Sequence, residues 1–185
     1  GAGQCLTFDM CTLSWWVSGD KRGVFFNRDE KRTRSHGLPP EIRTVGAQRV
    51  LMPLDPDAGG TWIGVNSAGL IVAVLNNYPH YQELETARSR GQLVVDLLER
   101  HSSVGAVCAA MQATDFSIYR GLVLFAMGRD GEPSAWRWDG TSVVSLALWG
   151  CNRHRVLTTS SVRREECEQF REALFASGAD DPEAR

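Results

Sequence analysis

Three short polar clusters stand at the ends of predicted apolar strands, and their side chains suit nucleophilic chemistry. Cys11 begins the first strand, Asn27-Arg28-Asp29-Glu30 ends the second, and Asn76-Asn77 ends a later one. A β-hairpin folds the start of its first strand beside the end of its second strand. We therefore expect the Cys11 thiol, the Arg28 guanidinium and the Asp29 carboxylate to be spatial neighbours.

Together these groups could form an activated cysteine nucleophile. A thiol has an ordinary pKa of about 8.5, and a nearby cation such as Arg28 lowers it. If residues 1–10 are removed, the α-amine of Cys11 becomes free to accept the thiol proton, with Asp29 orienting the resulting ammonium. An Asn side-chain amide can then donate a hydrogen bond to the oxyanion of a tetrahedral intermediate. This chemistry is that of an N-terminal nucleophile amidohydrolase.

The same residues also have structural interpretations, and the residues alone leave both the catalytic and the structural interpretation open. A cysteine at a strand start is commonly a small buried hydrophobe. An Arg-Asp pair after a strand is commonly a surface ion pair, which contributes about 0–1 kcal/mol. An Asn-Asn pair before Tyr78-Pro79 is commonly a turn.

The elements that must position these side chains are mainly strands. β-Branched and aromatic residues predict a hairpin over 12–17 and 24–26, with a loop longer than two residues between them. Residues 31–43 are rich in charge and proline and predict a loop. Further strands are predicted at 50–52, 61–65, 70–75, 121–127, 134–138, 143–148 and 156–159. Residues 70–75 are almost continuously apolar, which predicts a strand buried on both faces.

Helices are predicted in the middle and at the end of the chain. Ser89 followed by Gln92 has the spacing of a capping box, and Leu93, Val94, Leu97 and Leu98 recur at helical spacing. A second helix is predicted at 104–111 with Ser102 or Ser103 as its cap, and a last one from near Ser161. The order of strands, helices, strands and helix predicts an α+β domain with mainly antiparallel sheets.

Composition excludes several function classes. The 185 residues carry 20 Lys and Arg against 22 Asp and Glu, a net charge of −2, which argues against a nucleic-acid-binding protein or a polybasic membrane surface. No apolar stretch is long enough to span a bilayer. Five scattered cysteines and four separated histidines form no metal motif, so we predict no metal and no cofactor. A chain of this size without a disulfide framework suggests a reducing, cytoplasmic compartment.

The ordered motifs resemble those of a known family. Met10-Cys11-Thr12-Leu13, the tetrapeptide Asn27-Arg28-Asp29-Glu30 and the run Gly59-Gly60-Thr61-Trp62-Ile63-Gly64 look like the NRDE family. That family includes the transport and Golgi organisation protein 2 proteins. Residues 89–94 also resemble the family's helix start, and the likeness is clearest over residues 10–98.

The resemblance implies a fold, a reaction and a set of site residues. The fold is a four-layer αββα sandwich of the N-terminal nucleophile hydrolases, whose superfamily includes bile salt hydrolases and penicillin V acylases. Cys11 would be the nucleophile, Arg28 and Asp29 would support it, and Asn76 would donate to the oxyanion. Gly60, Trp62, Asn77 and Tyr78 would bind the substrate.

Two features depart from the family pattern. Residues 1–10 precede Cys11, so the hydrolase hypothesis treats them as leader or cloning residues before one domain at 11–185. The acylases carry a further Asn and Arg late in the chain, where this sequence has Thr158-Thr159-Ser160-Ser161. Family members are also longer, which predicts that C-terminal strands are missing here.

We therefore predict a hydrolase of a small amide or acyl substrate, acting on a non-peptide C–N bond through Cys11. The alternative is a non-catalytic carrier of haem or an acyl-lipid that retains the hydrolase fold. The predicted partner is a small molecule, with no nucleic acid and no integral membrane segment, and the sequence predicts no oligomeric state.

Overall fold

The structure is a computed structural model that describes residues 10–28, 33–77, 87–130, 132–148 and 154–160, together with 166, 169, 170 and 173. The chain divides into two compact units, one of Gly1–Arg34 with Asn152–Arg185 and the other of Ser35–Cys151. The predicted single domain at 11–185 stays a prediction. The predicted leader lies outside the described residues except for Met10, and the predicted last helix lies mostly outside them.

The elements follow one another as β1 (Met10–Ser18), β2 (Lys21–Arg28), β3 (Leu38–Val45), β4 (Gln48–Leu54), β5 (Ile63–Asn66), β6 (Ile71–Asn76), α1 (Arg90–Arg100), α2 (Val104–Ala113), β7 (Leu122–Met127), β8 (Ser134–Trp138), β9 (Val143–Leu146) and β10 (His154–Ser160). A short 3₁₀ helix over Phe116–Ile118, which the sequence patterns did not predict, precedes β7. Every strand pair among the described residues is antiparallel. The fold class is α+β with mainly antiparallel sheets, as predicted. The stacking of four layers concerns both units together and stays a prediction.

The first unit contains a three-stranded sheet in the order β10-β1-β2. The hairpin is tighter than predicted, because Ser18 pairs with Lys21 and only Gly19 and Asp20 lie between the strands. Gly19 has a φ of 60°, a left-handed conformation that a two-residue hairpin turn uses and that glycine adopts without strain. This turn sets the register of the whole hairpin.

The second unit contains a seven-stranded sheet in the order β3-β4-β5-β6-β7-β8-β9. The loop predicted over 31–43 is wrong for its second half, because β3 occupies Leu38–Val45. Pro39 and Pro40 lack an amide hydrogen, but β3 is an edge strand and its register shifts between Leu38 and Glu41. An irregular edge tolerates prolines, because their missing donors interrupt no continuous ladder.

The helices pack on one face of this sheet. The four predicted apolar residues of α1 are all buried, in one cluster with Val72 and Val74 of β6 and Leu122 and Leu124 of β7. Ser103 caps α2 by accepting a hydrogen bond from the Ala106 amide, as predicted. The predicted capping box is wrong, because Ser89 makes no side-chain cap bond and the Gln92 side chain donates to the Gly59 carbonyl.

The other face of the central strands is buried as well. Ala73, Leu75, Val123 and Phe125 alternate with the helix-side residues and are each at most 4% exposed. The prediction of a strand buried on both faces over 70–75 is thus confirmed for β6. In the part of the chain that the structure describes, no helix is long and apolar enough to cross a membrane.

Candidate functional site

Cys11 lies in the middle strand of the three-stranded sheet, on its buried face. Cys11, Leu13 and Trp15 are 6%, 0% and 3% exposed, whereas the alternate residues Thr12 and Ser14 are only partly buried. Side chains alternate across a strand, so the thiol shares one face with Leu13 and Trp15. This burial also fits the structural interpretation of Cys11 as a small hydrophobe.

Arg28 is the cross-strand partner of Cys11. The hairpin register pairs Cys11 with Arg28 and Thr12 with Asn27. Directly opposite residues point to the same face, with Cβ atoms about 4.5–5.5 Å apart. The predicted proximity of Cys11 and Arg28 is therefore confirmed at the level of the strand register, and Asn27, which is exposed, belongs to the opposite face. Asp29 lies outside the described residues.

The strand on the other side of Cys11 contributes two buried threonines. Cys11 pairs with Thr159 and Thr12 pairs with Thr158, which are 5% and 7% exposed. The Thr158 hydroxyl lies 3.2 Å from the Cys11 carbonyl oxygen, to which it donates, and 3.2 Å from the Thr12 hydroxyl. The sequence assigned these threonines no role. The signal in the sequence that could have identified them is a pair of hydroxyl side chains at the end of a predicted apolar strand.

The predicted asparagines belong to the second unit. Asn76 ends β6 opposite Leu122, and alternation places it on the helix side with Val72 and Val74. Asn77 is buried, its backbone amide donates to the Gly121 carbonyl at 3.0 Å, and its side-chain Nδ2 donates to the Trp138 carbonyl at 3.0 Å. Asn77 thus has a structural function whether or not it contacts a substrate.

Gly60 and Trp62 also lie in the second unit, where packing accounts for the glycine. A Cβ at residue 60 would overlap the backbone of Gly91, at the start of α1. Trp62 is half-buried, its indole lies against Gly37, and its carbonyl accepts a hydrogen bond from the Val74 amide at 2.9 Å. Their predicted substrate-binding roles stay predictions, and Tyr78 lies outside the described residues.

Two other features concern metals and thiols. Among the described residues, no group of three His, Cys, Asp or Glu side chains is arranged to hold a metal ion. Among the described residues, neither Cys11 nor Cys108 forms a disulfide, and Cys108 is partly exposed on α2. In the first unit, Cys11 therefore lies directly opposite a cationic residue, and a cation close to a thiol can activate it as a nucleophile.

The chain is similar to solved hydrolases over most of its length. It resembles penicillin V acylase from Agrobacterium tumefaciens with 15% identity and a TM-score of 0.41, over 76% of this chain and 42% of that protein. It resembles a variant of conjugated bile acid hydrolase from Clostridium perfringens with 16% identity and a TM-score of 0.46, over 91% of this chain and 50% of that protein. The chain thus spans at most half the length of these two proteins.

The family comparison gives a direct assignment. No curated protein matches this chain. The model of the family described as Transport and Golgi organisation 2 matches residues 22–144, which is well over half of the chain. The match includes the Asn-Arg-Asp-Glu tetrapeptide and the Gly59–Gly64 run on which the predicted resemblance depended. The chain therefore belongs to the Transport and Golgi organisation 2 family.

Proposed function

We propose that this protein is a hydrolase in which the Cys11 thiolate attacks the carbonyl carbon of a small amide, or of a related acyl compound. The observation that carries the proposal is the register of the hairpin, which sets Arg28 directly opposite Cys11 on a buried face. A permanent cation beside a thiol favours the thiolate, which is the nucleophilic form.

The reaction proceeds through an acyl-enzyme. The thiolate forms a bond to the carbonyl carbon, and the carbonyl electron pair moves onto oxygen, where Asn76 donates a hydrogen bond. The C–N bond then breaks, and the amine leaves with the proton that the α-amine of Cys11 took from the thiol. Water hydrolyses the thioester to a carboxylic acid and restores the thiol. Asp29 orients the α-amine, and Gly60, Trp62, Asn77 and Tyr78 bind the substrate.

This mechanism requires a free α-amine at Cys11, so processing is part of the proposal. Protein expressed from Met10 is expected to lose its methionine, which the intact mass reports directly. A catalytic thiol that must stay reduced also fits a cytoplasmic location, where disulfides are rare. Fractionation of cells that express a tagged copy would test the location.

Alkylation by iodoacetamide tests whether Cys11 is activated. At neutral pH we expect Cys11 to react faster than Cys108, as measured by peptide mass spectrometry over time. Accessibility alone predicts the opposite order, because Cys11 is buried and Cys108 is partly exposed. A non-catalytic carrier has no need of an activated thiol, so slower or equal labelling of Cys11 would favour that alternative.

Substitution of Arg28 tests the source of the activation. Arg28→Ala should slow Cys11 alkylation about 10-fold, since an adjacent opposite charge shifts a pKa by about one unit or more. Arg22→Ala is the matched control, because Arg22 lies on the same face of β2 but pairs with Val17, about 20 Å along the strand. An equal effect of both substitutions would show that Arg28 has no specific role.

A further inference from the structure

Thr159 occupies the third position in the row that contains Cys11 and Arg28. β1 is the central strand, with Thr159 opposite Cys11 on one side and Arg28 opposite it on the other. Directly opposite residues of an antiparallel pair point to the same face. The Thr159 side chain therefore shares the buried face of the Cys11 thiol.

The Thr159 hydroxyl is buried and has no hydrogen-bond partner in the described part of the chain. Thr159 is 5% exposed, and its Oγ1 makes no hydrogen bond to any residue that the structure describes. The neighbouring Thr158 is also buried, at 7% exposed, but its hydroxyl donates to the Cys11 carbonyl. An unsatisfied buried hydroxyl destabilises a fold, and such groups in native proteins call for an explanation, of which a catalytic role is one.

We propose that Thr159 is a catalytic residue whose hydroxyl donates a hydrogen bond to the acyl oxygen of a substrate held at Cys11. This inference rests on the proposed function, since it requires the Cys11 thiolate to attack a carbonyl. When the S–C bond forms, the carbonyl electron pair moves to oxygen, and this oxyanion accepts the hydrogen bond. Collapse of the intermediate reforms the carbonyl and expels the leaving group.

The separation of the two strands suits this role. The Cβ atoms of opposite residues lie about 4.5–5.5 Å apart, so an acyl oxygen on a carbon bonded to Sγ comes within hydrogen-bond reach of Oγ1. A hydroxyl held in a water-poor environment is an effective oxyanion donor, because it needs little reorganisation during the reaction. The ligand class is therefore a carbonyl acyl group, whether amide, ester or thioester.

Two probes separate this role from activation of the thiol. p-Nitrophenyl acetate acylates Cys11 through an oxyanion and releases p-nitrophenolate, whereas iodoacetamide alkylates the thiol without forming one. We expect Thr159→Val to slow Cys11 acylation about 100-fold and to leave Cys11 alkylation unchanged. Thr159→Ser, which retains the hydroxyl, should restore most of the acylation rate. Rates in Cys11→Ala supply the background.

Thermal unfolding distinguishes catalysis from a structural role. Thr159→Val removes a hydroxyl that bonds no described residue, so its melting temperature should not fall. Thr158→Val is the matched control and should melt at a lower temperature, because its hydroxyl bonds the Cys11 carbonyl. A comparable fall in Thr159→Val, or its failure to fold, would overturn the inference.

The remaining outcomes separate this inference from the proposed function. Preferential alkylation of Cys11 together with an unchanged acylation rate in Thr159→Val would overturn the role of Thr159 alone. Equal slowing of both reactions would assign Thr159 to the thiolate and not to the acyl oxygen. Absence of preferential alkylation in the unsubstituted protein would overturn both proposals.

Discussion

Asn77, which the sequence predicts to bind the substrate, also has a structural role in the fold. Its buried side-chain amide donates to the Trp138 carbonyl, and the Trp138 indole nitrogen in turn donates to the Tyr119 carbonyl at 2.9 Å. These bonds connect the end of β6 to β8 and to the segment after the 3₁₀ helix. A turn residue in such a chain is constrained by satisfied buried polar groups, independently of any substrate.

Asn77→Ala should lower the free energy of unfolding by about 1–3 kcal/mol, because the Trp138 carbonyl loses its buried donor. Urea titration followed by tryptophan fluorescence measures this change. Asn27→Ala, at an exposed position of β2, should change stability by less than about 0.5 kcal/mol. If Asn77→Ala is as stable as the Asn27 variant, the hydrogen bond contributes nothing to stability.

The loop from Gly59 to Trp62 packs closely against the start of α1. Gly60 meets the backbone of Gly91, and the Thr61 amide donates to the Gly91 carbonyl at 3.3 Å. The Gln92 side chain holds the Gly59 carbonyl, which is why it does not form a capping box with Ser89. Part of the family motif is thus explained by the packing of a loop against α1.

Gly60→Ala should destabilise the protein by about 1–3 kcal/mol, because the added methyl group would overlap the backbone of Gly91. Backbone atoms cannot move aside as a flexible side chain could. Gly105→Ala should stabilise it by about 0.5–1 kcal/mol, since Gly105 is in α2 and its Cβ would enter open space. Chemical denaturation of the two variants gives both values. A neutral Gly60 variant would show that the loop can move away from α1.

The pH dependence of unfolding reports on a buried phenol, that of Tyr119. Burial raises the pKa of Tyr119, partly opposed by Arg88, which lowers it. Tyr119 lies in the helix-side core, where the Phe116 ring is 6.1 Å from its own and 5.8 Å from that of Trp138. The folded protein therefore holds the phenol proton more tightly than the unfolded chain does.

The stability that this proton contributes is fully present below the unfolded pKa of about 10 and is lost as the pH rises through the folded value. Tyr119→Phe has no phenol to ionise, so we expect its unfolding free energy to fall less between neutral pH and pH values above about 10. Urea titrations over that range measure the difference. Asp115→Asn is the control, because hydrogen bonds from Ser117 lower the pKa of that carboxyl and its contribution disappears only at acid pH. Parallel alkaline curves for the Tyr119 variant and the unsubstituted protein would contradict the expectation.

Local sequence patterns are sufficient to predict the hairpin, the buried face of α1 and the family. Alternation and turn residues located the hairpin and so placed Cys11 beside Arg28, because a hairpin depends on contacts within one short segment. Helical spacing identified the buried face of α1 for the same reason. The Asn-Arg-Asp-Glu tetrapeptide identified the family. These patterns do not predict β3, because its two prolines are compatible with a strand only at the edge of a sheet.

Which distant residues join the candidate site depends on long-range strand pairing. Thr159 reaches Cys11 through strand pairing between opposite ends of the chain, and a pairing register over that separation has no local signal. Which polar groups the fold already satisfies is likewise a property of packing. It separates Thr158, whose hydroxyl bonds the Cys11 carbonyl, from Thr159, whose hydroxyl bonds no described residue. The sequence thus determined which types of reactive side chain the protein has. Packing decided which of their polar groups the fold already satisfies and which remain available for a substrate.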